Sequence, residues 1–289
     1  MELTAVSATQ FSVAQLTTIL CDCFEDYLVP VTLSVEVFVQ RFSAEGLSLL
    51  DSCVWLDGDV PAAMAVVARR GDEARLAAFA VRPAYRGKGV GRRLMSPLID
   101  ALREQGVRRM WLEVIRDNHA AVALYQSLGF EVRHGLCGYL SAQAGSDGPS
   151  VLEDVDVLAL TRRAGAEING QLPWLMDPLT FSTLPCRALS LHQQAFAVLA
   201  TLSSRPQLQF LWVDPAARGR GQGREMLMAL AQRFPGLGTS VTIPERFTPL
   251  FHAAGYTPMA LKQYEMSATL SARRQQGVEI QPLRGSLIG

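Results

Sequence analysis

The chain has 289 residues, of which 49% are hydrophobic and 19% charged, a composition that suits about two packed domains and excludes a wholly disordered chain. Lysine plus arginine and aspartate plus glutamate each number 27, for a net charge of +0, so the basic footprint of a nucleic-acid binder is missing. The start, Met1-Glu2-Leu3, lacks the pattern of a secretory leader, apolar runs such as Ala195 to Leu202 fall far short of a bilayer span, and the five cysteines form no regular framework, which together predict a cytoplasmic protein without nucleic-acid or membrane partners.

In chain order, apolar residues at helical spacing predict helices over Val13 to Glu25 and Ser34 to Ala44, and β-rich runs predict strands over Ser52 to Leu56, Ala62 to Arg70 and Leu76 to Val81. A glycine-rich turn follows, then a helix whose apolar face carries Leu94, Met95, Leu98, Ile99 and Leu102, with Pro97 expected to remove one hydrogen bond inside it. A strand over Arg109 to Ile115, a helix over Ala120 to Leu128 ended by Gly129, and a strand from Phe130 complete this half. The small and polar stretch around 142–152 reads as a linker between domains at 1–141 and 153–289. Beyond it, strands are expected at Asp154 to Leu160, Ala195 to Leu202 and Leu208 to Val213, a loop around Pro173, Pro178 and Pro185, and a helix with Met226, Leu227, Leu230, Ala231 and Phe234 on one face. The two early helices of the first half have no evident counterparts.

The most informative feature is a repeat. Val81-Arg-Pro-Ala-Tyr-Arg-Gly-Lys-Gly-Val-Gly-Arg92 and Val213-Asp-Pro-Ala-Ala-Arg-Gly-Arg-Gly-Gln-Gly-Arg224 share eight of twelve residues at an offset of 132, a domain-sized spacing rather than a solenoid period. Each copy lies between a predicted strand and helix, where glycines let backbone N–H groups approach an anion at the positive end of the helix. Neither copy has the spacing of a P-loop or of a dinucleotide-binding turn. A solvated tight connection is the plain alternative, and for the second copy the two readings stand level.

The turns resemble the signature Arg/Gln-x-x-Gly-x-Gly/Ala of the GNAT superfamily of acyl-CoA-dependent N-acyltransferases, matched by Arg86, Gly89 and Gly91 and again by Arg218, Gly221 and Gly223. The segment from Met110 to Phe130 is similar to the ribosomal-protein N-terminal acetyltransferases of that superfamily, in which a strand Glu serves as general base and a helix Tyr twelve residues later as general acid; Glu113 and Tyr125 stand at those positions. The resemblance implies an α/β fold of two GNAT-type domains, each a mixed, mostly antiparallel sheet flanked by helices, and acetyl transfer from acetyl-CoA to a primary amine, either a small molecule or a peptide N-terminus, by direct attack in a ternary complex. It implies acetyl-CoA contacts at Ala80, Val81, Arg86, Gly87, Lys88, Gly89, Val90, Gly91, Arg92 and Asn118, with no metal. A carboxylate and a phenol can divide the proton work, since the attacking amine must be neutral and the departing thiolate must be protonated. Alone, Glu113 would read as a solvated or salt-bridged residue and Tyr125 as a core aromatic, and Asn118 also suits a helix cap. In the second half Thr239 and Phe251 stand where Glu113 and Tyr125 do, and Pro244 where Asn118 does, so a catalytically silent copy is expected. The rival from another class is a non-catalytic acyl-CoA-binding sensor or interaction protein.

Overall fold

A computed structural model describes residues 3–29, 31–142, 151–168, 172–202 and 205–270. Most of the linker expected at 142–152 lies outside the described residues. In the first half the strands are β1 (Thr4–Ser7), β2 (Cys53–Asp57), β3 (Val60–Arg70), β4 (Glu73–Val81), β5 (Arg109–Ile115) and β6 (Glu131–Leu140), and the helices α1 (Val13–Cys23), α2 (Val35–Glu45), α3 (Val90–Glu104) and α4 (His119–Ser127). The second half contributes β7 (Leu152–Val155), α5 (Val157–Ile168), β8 (Cys186–Leu191), β9 (Ala195–Ala200), β10 (Gln207–Val213), α6 (Gln222–Arg233), β11 (Gly238–Thr239), β12 (Ile243–Pro244), α7 (Thr248–Ala253) and β13 (Thr257–Thr269).

Local chemistry sets the helix ends. The Ser12 side chain accepts from the Gln15 N–H while Gln15 answers the Ser12 N–H, a capping box that starts α1. Ser34 caps α2, and Gly46, with φ 88°, closes it in the left-handed conformation. One expectation is corrected. Asp154 to Leu160 is no single strand: β7 ends at Val155, and Asp156 turns the chain into α5 by accepting the Ala159 N–H. The apolar run conceals a cap residue, so this half does have an early helix after its first strand. Pro97 lies inside α3, as the sequence places it, and the helix continues on both sides of it.

Among the described residues the strands join one sheet in the order β1-β2-β3-β4-β5-β13-β6-β11-β10-β9-β8-β7, with β12 beside β6. Pairing is antiparallel except for β4 with β5 and β10 with β11, so each half repeats one parallel step at the same place. The last strands are exchanged. β13 lies between β5 and β6, while β6 runs alongside β11. Met266 and Ala268 therefore lie buried in the cluster formed by α3, α4, β4 and β5, although they arrive from the far end of the chain. The opposite face of the first sheet buries Leu16, Leu20, Phe38 and Phe42 of α1 and α2 against Val54, Met64 and Val66.

Met266→Ala is expected to cost about 2–5 kcal/mol, as for other fully buried methionines. Native-state hydrogen exchange should locate the loss in β5, more than a hundred residues upstream; unchanged β5 protection would contradict the shared core.

Candidate active site

The glycine turn is set by backbone conformation. Gly87, Lys88 and Gly89 have φ of 89°, 49° and 71°, and Gly89 is the N-cap of α3. A Cβ on Gly91 would lie 2.8 Å from Leu124 Cδ2, so this glycine lets α3 settle against α4. Arg86 braces the turn from behind: its Nε donates to the Val81 carbonyl at 2.8 Å and its Nη2 to the Glu25 carbonyl at 2.6 Å. Lys88, Gly89 and Arg92 are exposed on the outer side of the turn.

β4 and β5 are paired only from Glu73/Arg109 to Leu76/Leu112. Beyond that point they part, and a cleft of about 330 Å³ opens between them, lined by Ala77 to Val81, Arg86, Gly87, Val90, Gly91, Glu113, Asn118 and Tyr125. Ala77 is the extra residue of a bulge, because Val66 pairs with Ala78 and Val67 with Leu76; a bulge re-aims the backbone at the point where the cleft begins. Asn118 caps α4 by accepting the Ala121 N–H, and its Nδ2 donates to the Tyr27 hydroxyl at 3.2 Å, tying the two sides of the cleft mouth. The structure thus brings Glu113, Tyr125, Asn118, Ala80, Val81, Arg86, Gly87, Val90 and Gly91 to one cavity. Burial, with the nearby Tyr27, raises the Tyr125 hydroxyl above its ordinary range, so the phenol keeps its proton at neutral pH.

A second cavity of about 410 Å³ meets the first at Glu113 and Ala77. Its walls come from both halves: Arg41, Glu45 and Arg75 on one side, Gln207, Gln209 and Thr242 on the other. Glu113 is ion-paired here. Arg75 Nη2 reaches its Oε2 at 2.6 Å and Nε donates at 2.8 Å, while Nη1 binds Glu45 at 2.6 Å. Burial opposes the charge on Glu45, yet Arg75 and Arg41 outweigh it and hold the carboxyl below its usual range. Sequence reasoning singled out neither Arg75 nor Glu45. It also missed Glu265 of β13, which stands directly opposite Glu113 in the ladder. Burial first, and then the Glu113 charge, push the Glu265 carboxyl up to about 7.

Residues 13–130 match the model of the acetyltransferase (GNAT) family. This segment is a GNAT acetyltransferase domain. Over 59 residues, 20% of this chain, it is 54% identical to the [ribosomal protein bS18]-alanine N-acetyltransferase of Escherichia coli strain K12. Over 74 residues, 26% of the chain, it is 46% identical to the N-alpha-acetyltransferase RimI of Mycobacterium tuberculosis. The chain spans 40% and 44% of the lengths of these two relatives. Across nearly the whole chain the fold is that of paired GNAT domains. A tandem GNAT protein from the clavulanic acid biosynthesis pathway superposes with a TM-score of 0.63 at 15% identity, covering 94% of this chain and 99% of that one. A GCN5-related N-acetyltransferase from Sphaerobacter thermophilus gives 0.67 at 14%, covering 93% and 96%.

The second GNAT-type unit keeps the turn and a cavity at it, and narrows the space beside its central strand. Arg218 Nε donates to the Val213 carbonyl at 3.0 Å, as Arg86 does to Val81, and Gly221 caps α6 with φ 84°. The space that corresponds to the first cleft is split: about 80 Å³ beside β10, crowded by Phe247, Leu250 and Phe251, and about 210 Å³ at the turn itself, lined by Val213, Arg218, Gly219, Gly221 and Gly223. Phe251, at the position of Tyr125, is stacked on Tyr139 at 4.3 Å. Thr239, at the position of Glu113, is fully buried and accepts the Tyr139 N–H. His252, the one histidine of α7, lies exposed on that helix.

The raised Glu265 carboxyl has a consequence for stability. Its folded value, about 7, lies above the ordinary 4.5, so the fold favours the protonated form. That contribution is full below the unfolded value and is lost as pH rises through 7. Glu265→Gln, which mimics the neutral acid, should therefore have a melting temperature that falls less than the parent's between pH 5 and 8. Parallel melting curves across that window would count against the shift.

Proposed function

We propose that the chain is an N-acetyltransferase that carries an acetyl group from acetyl-CoA to a primary amine by direct attack in a ternary complex. The observation that carries this reading is the meeting of two cavities at Glu113 and Ala77: a thioester entering from one side would meet an amine entering from the other. The first cleft suits acetyl-CoA. Its rim is an anion-accepting turn at the start of α3, and the edge of β4 from Ala77 to Val81, parted from β5, offers backbone groups to an amide-bearing arm. Glycines at 87, 89 and 91, with the amides through Val90 and Arg92 and the exposed Lys88, supply the diphosphate end.

In this reading Glu113 draws the proton from the amine, directly or through water, and Tyr125 delivers one to the departing thiolate. Backbone N–H groups of β4, between the bulge at Ala77 and Val81, steady the oxyanion. Three contacts from Arg75 orient the Glu113 carboxylate. An α-amine, with a reference pKa near 8, needs less help than a lysine near 10.4. The relatives named for ribosomal-protein alanine support an α-amine acceptor, while a cavity walled by both halves also accommodates a small molecule. The five unpaired cysteines support a cytoplasmic setting.

Glu113→Gln and Tyr125→Phe should each lower kcat by about 10²–10⁴ with little change in acetyl-CoA affinity. If both turn over normally, the proton-transfer assignment fails. Gly89→Glu should abolish acetyl-CoA binding measured by calorimetry, whereas Gly221→Glu should leave turnover intact; the reverse pattern would move catalysis to the second unit.

A further inference from the structure

From the alignment of Glu113, Glu265 and His134 across β5, β13 and β6, we propose that Glu265 and His134 form a proton exit that carries the surplus proton of the reaction from Glu113 to solvent. The proposal rests on the acetyl-transfer reading above. That reaction has a proton to dispose of. An acceptor ammonium brings three N–H protons; as its nitrogen bonds the acetyl carbon and the C–S bond breaks, the amide keeps one and the thiol takes one. The third must leave a site formed between two packed halves.

With a thioester and an amine seated in the two cavities that Glu113 faces, its carboxylate, held by Arg75, is shielded from solvent. Glu265 pairs with Glu113 on one side and with His134 on the other, and residues directly opposite in an antiparallel ladder share a face with Cβ atoms about 4.5–5.5 Å apart. The Glu265 side chain is 4% exposed and its Oε2 lies 3.8 Å from His134 Nε2, whose own side chain is 37% exposed. Three titratable groups thus step from the buried junction to the surface, one per strand.

The charges around Glu265 suit a group that alternates between states. Glu113 opposes its ionisation; Arg75, on β4, is already shared by Glu113 and Glu45, and Arg246 lies in the turn before α7. A small cavity of about 50 Å³ beside Glu265 also holds Arg70, Asp177 and Glu73, of which Arg70 pairs with Asp177 and Glu73 with Arg109. A carboxyl titrating near 7 can take and release a proton at neutral pH. Burial, Arg246 and Arg133 lower the His134 imidazole, leaving it neutral and able to accept.

Two measurements on the full-length protein test the route. In carbon-13 spectra of glutamate-labelled protein, one carboxyl, absent in Glu265→Gln, should titrate near neutrality and move downward in Glu113→Gln. A midpoint near the ordinary 4.5, or one indifferent to Glu113, overturns the proposal. In turnover of acetyl-CoA with an alanine-terminated peptide as the probe acceptor, Glu265→Gln should lower kcat about tenfold or more at pH 7 with KM unchanged. His134→Ala should do the same, and millimolar imidazole buffer should restore both. A loss that buffer does not rescue means a merely structural role and sinks the exit. A parent enzyme that turns over no amine at all speaks instead against the acetyl-transfer reading, and the titration then decides the linkage between Glu113 and Glu265 by itself.

Discussion

The parting of β4 from β5 is the constraint from which the rest of the arrangement follows. Two parallel neighbours that hold four paired positions and then diverge leave each other's edges unpaired, and buried backbone groups do not stay unpaired without cause. On one side the divergence opens the cleft. On the other, β5 finds its partner in β13, whose seven registered positions from Gln263 to Thr269 run along its whole length. The same strand then pairs with β6, so the cleft of the first half is braced by a strand from the second.

That bracing explains why two copies of one architecture persist in unequal condition. In the duplicate, the space beside β10 is crowded by aromatic and aliphatic side chains, while a separate cavity of about 210 Å³ stays open at the turn. What it retains is the turn, with Arg218 tied to Val213 as Arg86 is to Val81. In both copies the arginine Nε donates to the carbonyl that ends the preceding strand, while the guanidinium head reaches the Glu25 carbonyl from Arg86 and the Glu167 carboxylate from Arg218, so the motif has a conformational use in both halves. The second half adds instead Gln207, Gln209 and Thr242 to the wall facing Glu113, and Glu265 to the ladder beside it.

Much of this was legible in the sequence because it is local. Glycine spacing, the twelve-residue interval from Glu113 to Tyr125, and apolar periodicity located the turn, the strand β5 and the helices that line the cleft. The ion-paired reading of Glu113, set out as the plain alternative, is observed, with Arg75 as the partner, and the same carboxylate lines both cavities. What the sequence withheld depends on register across long intervals. Nothing in the neighbourhood of Glu265 announces that it will face Glu113, since the pairing follows from the exchange of the last strands. The short strand β7 and helix α5 were hidden for a different reason: Val155 and Val157 surround Asp156 with β-branched residues, and strand propensity obscured a helix cap.

The exchange also orders events in time. During synthesis β5 and β6 emerge long before the strand that belongs between them, and at roughly 5–20 residues per second the wait amounts to several seconds or more. Through that interval the nascent first half carries two open edges, the usual starting point for unwanted association. The turn, the cleft-lining helices and Glu113 are all made early, yet the sheet that fixes their geometry closes only when Met266 arrives. Glu113 is thus made long before the strand that braces its own.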